Sequence, residues 1–170
     1  DYETALGWLN DAGLIYKCIN VENASHPLSG NSNNNIFKVY LFDVWILSAL
    51  SNISIDILLQ ETQLFKEYYG AFVENYVAME LMGKHESPLY YWSSSGNAEV
   101  DFLFSKDKLI LPLEVKSWIN LKSKSLKVFR ERYKVKLSCR TTLQNFSCDG
   151  VYCNYPLYAI SIFPELMNHS

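Results

Sequence analysis

The chain has 170 residues, of which 49 % are hydrophobic and 15 % aromatic, and its net charge is −3. This composition predicts a packed globular protein and excludes a disordered chain. No run of about 18 apolar residues lacks a polar break, and the polar start does not resemble a signal peptide, so we expect no membrane segment and a cytoplasmic location. Because the first residue is aspartate, we also expect a piece of a longer protein.

The first 60 residues are predicted to form a partial winged-helix unit and a linker. In chain order they hold a helix, a strand, a polar loop, a strand, a helix and a helical turn, at residues 4–10, 14–21, 22–35, 36–42, 44–50 and 54–59. A helix followed by a hairpin is typical of a winged helix, but the short helix has no basic face for reading DNA bases.

Residues 61–170 are predicted to form an α/β (α+β) domain, with a mixed sheet flanked by helices. A long amphipathic helix precedes three strands, a basic helix, a strand, a turn and a last apolar element, at residues 64–84, 89–92, 98–104, 109–118, 122–133, 134–143, 148–152 and 156–163. The strand, helix and strand between residues 109 and 143 predict a right-handed crossover that joins parallel strands. The last apolar element fits a helix or a strand.

Charge is distributed unevenly along the chain. Residues 1–115 carry six basic and fifteen acidic side chains, whereas residues 116–140 carry nine basic side chains and one acidic one. Such a basic block can attract phosphate groups. It also fits a solvated helix face that balances an acidic molecule, and the sequence leaves both interpretations open.

Three ionisable residues fall within apolar strands, where an unpaired charge is costly. Side chains two apart on a strand share a face, so we expect Glu114 and Lys116 to lie together, and Asp101 to alternate against Val100 and Phe102. Two carboxylates on adjoining strands can hold a divalent cation for phosphodiester hydrolysis, with a lysine beside the attacking water. The alternative is a structural salt bridge between Lys116 and either acid.

Two other acidic residues are weaker candidates for this site. Glu74, on the long helix, either supports the metal or faces solvent. Glu99 shares a strand face with Asp101 and is either a secondary ligand or exposed.

The four cysteines do not form a C-x-x-C pair, and the histidines are distant from most of them. We therefore expect no zinc site and no disulfide framework, but free, partly buried thiols at Cys18, Cys139, Cys148 and Cys153.

A helix glutamate, an aspartate and a Glu-x-Lys motif, in this order, resemble the PD-(D/E)xK nuclease superfamily. More closely, the chain is similar to the C-terminal domain of unknown function in a prokaryotic family of AAA-type ATPases. The segments that carry this resemblance are residues 4–14, 38–44, 72–78, 99–102, 112–117, 123–126 and 156–160.

The resemblance implies a restriction-endonuclease-like fold, with Asp101, Glu114 and Glu74 around Mg²⁺ or Mn²⁺ and Lys116 as the catalytic lysine. Val100 stands where the superfamily has a proline. An ATPase domain of the same full-length protein would precede this piece, which itself has no P-loop motif.

Three hypotheses follow from the sequence. The first is a metal-dependent nuclease module acting on DNA, which the basic helix grips through Lys122, Lys124, Lys127 and Arg130. The second is a catalytically inactive module that binds nucleic acid or protein and regulates the ATPase. The third is an oligomerisation domain.

Overall fold

The computed structural model describes residues 2–51, 63–84, 88–94, 98–117 and 123–165. The helices are α1 (Tyr2–Asp11), α2 (Val44–Ser51), α3 (Gln63–Met82) and α4 (Lys124–Tyr133), with 3-10 helices at Leu28–Asn31 and Leu157–Ile162. The strands are β1 (Ile15–Val21), β2 (Ser32–Leu41), β3 (Leu89–Ser93), β4 (Glu99–Lys106), β5 (Leu109–Val115), β6 (Ser138–Thr142), β7 (Ser147–Cys148) and β8 (Tyr152–Pro156). Within these ranges, none of the helices has the length and apolar content needed to cross a bilayer.

The described strands form one sheet in the order β2-β1-β3-β4-β5-β6-β8-β7. The sheet is mixed: β1 and β3, β5 and β6, and β6 and β8 pair in parallel, and the remaining neighbours are antiparallel. The prediction of an α+β fold with a mixed sheet flanked by helices is therefore confirmed.

The N-terminal hairpin of β1 and β2 belongs to this same sheet. It joins through β1, where Cys18 lies opposite Leu89 and Val21 opposite Trp92. The division of the chain at residue 60 stays a prediction, because residues 52–62, including the predicted turn at 54–59, lie outside the described part.

The sheet separates two apolar clusters, because alternate residues of β3 enter different ones. Leu89 and Tyr91 pack beneath α3, whereas Tyr90 and Trp92 pack beneath α4. The cluster beneath α4 contains Trp92 in edge contact with Phe129, both fully buried. Burial of such a side chain stabilises the fold by about 1.5–3 kcal/mol, so these contacts fix α4 over the strands that carry the acidic residues.

The start of α4 is set by its cap. The Oγ of Ser123 accepts a hydrogen bond from the backbone N of Leu126 at 3.1 Å, which satisfies one free donor of the first turn. Along the chain, α4 follows β5 and precedes β6. These two strands pair in parallel, as the predicted crossover requires.

Several predicted boundaries differ from the structure. β2 begins at Ser32 inside the predicted loop, because Asn33 and Ser32 pair with the end of β1 beyond a bulge. The strand predicted at 134–143 is confined to Ser138–Thr142, and the last apolar element is a 3-10 helix.

The expectation of four free thiols is wrong for two cysteines. Cys148 and Cys153 form a disulfide, because the β7–β8 hairpin places them opposite one another with 4.1 Å between their Cα atoms. Cys18 and Cys139 are free and buried, as expected. Burial raises the pKa of Cys139 to about 12 and that of Cys18 well above its usual value, so both thiols stay protonated near neutral pH.

Candidate functional site

Glu114 and Lys116 lie at the end of β5 and contact each other. The Nζ of Lys116 is 2.6 Å from Oε1 of Glu114, so the predicted shared face is confirmed. The Glu114 side chain is only 7 % exposed and that of Lys116 is 30 % exposed. The backbone N of Lys116 donates to the carbonyl of Thr141 at 3.0 Å, which fixes the chain just beyond the strand.

Asp101 lies in a β-bulge of β4. Tyr90 pairs with Leu103 and Trp92 with Val100, so two residues of β4, Asp101 and Phe102, stand opposite the single residue between them on β3. A bulge redirects side chains and often occurs beside functional sites.

The bulge overturns one detail of the sequence prediction. Val100 packs beneath α4 and Phe102 beneath α3, so Asp101 does not simply alternate against both. Phe102 pairs with Leu113, which puts Asp101 and Glu114 at the next position of the two strands. The Oδ2 of Asp101 accepts a hydrogen bond from the backbone N of Val115 at 2.7 Å.

Glu74 projects from α3 toward β2. Its Oε1 accepts a hydrogen bond from the hydroxyl of Tyr40 at 2.5 Å and lies 2.9 Å from Nζ of Lys38. We call Glu74, Asp101 and Glu114 the carboxylate site, because Glu74 and Glu114 both lie near enough to Asp101 to repel its charged form.

Burial raises the pKa of Asp101 well above its usual value, and repulsion from Glu74 and Glu114 raises it further. The hydrogen bond from Val115 and the charge of Lys38 act in the opposite direction without cancelling the shift. Burial first, and then the two neighbouring carboxylates, therefore disfavour the charged form of Asp101.

Lys38 and Tyr40 are members of this site that the sequence analysis did not assign. Besides Glu74, Nζ of Lys38 contacts Oε1 of Glu99 at 2.5 Å and lies 5.1 Å from the centre of the Tyr91 ring. Burial alone would lower the pKa of Lys38, but Glu74 and Glu99 raise it above its usual value, so the ammonium form persists. A signal was available, since Lys38 and Tyr40 lie two apart on one predicted strand face.

The residues fit a hard cation in part. The Oε2 of Glu114 is buried and has no hydrogen-bond partner within the described residues, although a buried charged oxygen normally has one. Across the same ranges, no three or more His, Cys, Asp or Glu side chains form a ready metal cluster. Mg²⁺ commonly uses only one or two carboxylates and completes its shell with water and substrate phosphates, so Asp101 and Glu114 suffice in number.

The predicted nucleic-acid contacts on α4 have different surroundings. Lys124 and Lys127 are exposed, with Nζ of Lys127 at 3.9 Å from a carboxylate oxygen of Glu131. Arg130 is half-buried and stacks over the ring of Tyr152 at 5.4 Å. Lys122 lies outside the described residues.

Residues 69–160 match a family described as a domain of unknown function, DUF4143. The match covers more than half of the chain, so the chain belongs to this family. Comparisons with curated proteins and with solved structures found no match.

Proposed function

We propose that this member of the DUF4143 family is a nuclease-like module that hydrolyses phosphodiester bonds of DNA with the help of Mg²⁺ or Mn²⁺. We also propose that the module is related to the PD-(D/E)xK nucleases and to the C-terminal part of an AAA-type ATPase, which it resembles in sequence. The order α3, β3, β4, β5, α4, β6, in which a helix, three antiparallel strands and a parallel crossover carry the acidic residues, supports the resemblance.

The observation that carries the proposal is the state of Glu114. One of its oxygens is held by Lys116, and the other is buried without a hydrogen-bond partner among the described residues. Asp101 lies at the next position of the neighbouring strand, and burial together with repulsion from Glu74 and Glu114 raises its pKa. A divalent cation would satisfy the free oxygen and relieve the repulsion at the same time.

In this mechanism, Asp101 and Glu114 hold the cation, and Glu74 supports the site from α3. The bound ion would lower the pKa of a water molecule and neutralise charge on the phosphate. Lys116 is partly exposed, so its ammonium can reach both Glu114 and an approaching phosphate. It would orient the attacking water and stabilise the charge that develops as the phosphodiester bond breaks.

DNA is the proposed substrate because α4 brings exposed lysines next to the carboxylate site. The Oγ of Ser125 in its first turn accepts a hydrogen bond from the backbone N of Glu99 at 3.3 Å. The ATPase domain of the same protein would deliver the DNA.

Thermal unfolding in EDTA and in millimolar Mn²⁺ tests the metal site directly. We expect Mn²⁺ to raise the melting temperature of the native chain by about 2–4 °C for each kcal/mol of binding free energy. Glu114→Gln should lose this response. Glu131→Gln removes an exposed carboxylate from α4 and should keep it. An equal response in both variants would show that the cation binds elsewhere, and no response in the native chain would contradict the proposal.

A second candidate is a catalytically inactive module that binds nucleic acid or protein and regulates the ATPase. It is favoured by the pairing of three acids with lysines, since Lys38 contacts Glu74 and Glu99 while Lys116 contacts Glu114. These ion pairs could serve the fold alone. This candidate predicts no effect of Mn²⁺ on the melting temperature and no cleavage of DNA.

A further inference from the structure

A cleft of about 470 Å³ opens at the end of the β4–β5 hairpin that is remote from the carboxylate site. Its charged lining comes from the β4–β5 turn and from the connection between α4 and β6. We call it the lysine cleft, because the side chains concerned are Lys106, Lys108, Lys134 and Lys136, with Asp107 as the one acid among its lining residues. The described residues show no ion pair for these four lysines.

The backbone of the β4–β5 turn places a lysine where glycine is preferred. Lys106 pairs with Leu109, and the two residues between them have positive φ angles, 51° for Asp107 and 64° for Lys108. Two-residue turns of this type usually have glycine in the second position, because a Cβ atom is disfavoured in the left-handed region.

The end of α4 also has a lysine at a position where glycine is usual. Lys134 caps the helix with a φ of 52°, in the left-handed conformation that glycine or asparagine usually adopts there. Lys108 and Lys134 come from different elements, yet both line the lysine cleft. Two lysines around one cleft thus occupy backbone conformations that favour glycine, and each adds a positive charge there.

The cleft is connected to the carboxylate site by basic side chains. α4 begins beside Glu99 and ends at Tyr133, which lines the cleft, and Lys124 and Lys127 are exposed along it. The five residue-to-residue steps from Asp101 to Lys106 on β4 span about 17 Å at roughly 3.4 Å per step. That length corresponds to about five phosphates along one strand of duplex DNA.

We propose that the lysine cleft binds backbone phosphates of a nucleic-acid strand whose neighbouring segment reaches the carboxylate site. The choice of nucleic acid rests on the proposed function, whereas the binding of anionic phosphate rests on the cleft itself. Lysine ammonium groups act as point charges without the planar fork of arginine, so the contact is independent of base sequence.

Fluorescence anisotropy with a labelled duplex and a labelled single strand tests the proposal, in low salt and with EDTA so that no cleavage occurs. The variant Lys108→Gly with Lys134→Gly removes two charges and replaces both lysines of positive φ by glycine. We expect binding to weaken about tenfold at low salt, and the slope of log affinity against log salt to fall by about two. The corresponding double glutamine variant should behave alike.

The matched control is Lys17→Gln with Lys84→Gln, which removes the same charge from two residues outside the lining of the cleft. Lys17 lies on β1 over the ring of Phe37, and Lys84 forms an exposed pair with Glu165. We expect this variant to bind nearly as the native chain does. Equal binding by the cleft and control variants would overturn the proposal, and so would binding of an acidic peptide in the cleft without binding of either nucleic acid.

The same variants separate this inference from the nuclease proposal. If Mn²⁺ supports no cleavage but binding depends on the lysine cleft, the nuclease proposal fails and this inference stands. If the native chain cuts DNA and the glycine variant binds and cuts equally well, this inference fails and the nuclease proposal stands. Asp101→Asn should bind nucleic acid in EDTA at least as tightly as the native chain, because it removes a negative charge.

Discussion

The two ends of the β4–β5 hairpin carry charges of opposite sign. At its open end, the acids of the carboxylate site are buried or half-buried, and lysines from β2 and from the end of β5 contact them. At its closed end, the lysine cleft gathers mostly exposed lysines, which form no ion pair among the described residues. The difference teaches that interactions inside the protein position the acids, whereas the conformations of two turns position the lysines.

The largest expected effect is on catalysis at the acidic end. Lys116→Ala should lower metal-dependent cleavage at least about 100-fold, because it removes the group that orients water and stabilises developing charge. Cleavage is measured on a labelled duplex in Mn²⁺, and binding is measured in EDTA. Cleavage at the native rate would remove Lys116 from the mechanism. The variant Lys108→Gln tests the lysine cleft. It should weaken DNA binding, and it should change the cleavage rate at saturating DNA to a smaller extent.

The next effect is on the stability of the acidic end. Lys38→Met leaves Glu74 and Glu99 without their shared cation and should destabilise the fold by about 2 kcal/mol, a value discounted for partial exposure. Because the pKa of Lys38 is raised in the folded state, its stabilisation is fully present at neutral pH and is lost only as the pH rises through that raised pKa. Urea unfolding at pH 7 measures the loss. Lys136→Met at the basic end is the control, and an equal change in both variants would contradict the assigned ion pairs.

A smaller effect of opposite sign is expected when one acid is neutralised. Asp101→Asn should stabilise the metal-free chain by on the order of 1 kcal/mol, because burial and also repulsion from Glu74 and Glu114 penalise the charged form. The same variant should lose stabilisation by Mn²⁺. Thermal unfolding in EDTA and in Mn²⁺ measures both changes, and destabilisation in EDTA would show that the hydrogen bond to Val115 outweighs the repulsion.

The smallest effects belong to the basic end. Lys108→Gly and Lys134→Gly should each stabilise the fold by about 0.5–1 kcal/mol, since glycine adopts positive φ without steric cost. Lys136→Gly is the comparison. Lys136 does not have a positive φ, so glycine at this position should not increase the stability of the fold. Chemical unfolding measures the differences. A loss of stability in both variants at positive φ would argue against the conformations described.

Local periodicity predicted part of the carboxylate site. The contact between Lys116 and Glu114 follows from the two-residue repeat of a strand, which needs no tertiary information. The position of Asp101 could not follow from it, because a bulge adds one residue and changes which face each neighbour occupies. The partnership of Lys38 with Glu74 spans 36 residues of sequence and depends on how β2 and α3 pack.

The lysine cleft follows from the sequence only in part. The short polar segment between two apolar strands predicts a tight turn at residues 106–108, which the structure has. Left-handed positions are usually marked by glycine or asparagine, and here Asp107, Lys108 and Lys134 occupy them. The basic block of residues 116–140 pointed to α4, but its last lysines face a turn from another hairpin. The overall α+β arrangement was predictable, because long apolar strands and one long helix set it.

The two borders of the described sheet are finished differently. β7 has only two residues and is tied to its neighbour by the Cys148–Cys153 disulfide, so that border offers little backbone to a foreign strand. β2 has ten residues and forms the other border. A strand from another polypeptide would therefore add to β2 rather than to β7. It would stiffen β2 and so restrict the movement of Lys38, the lysine that contacts both Glu74 and Glu99.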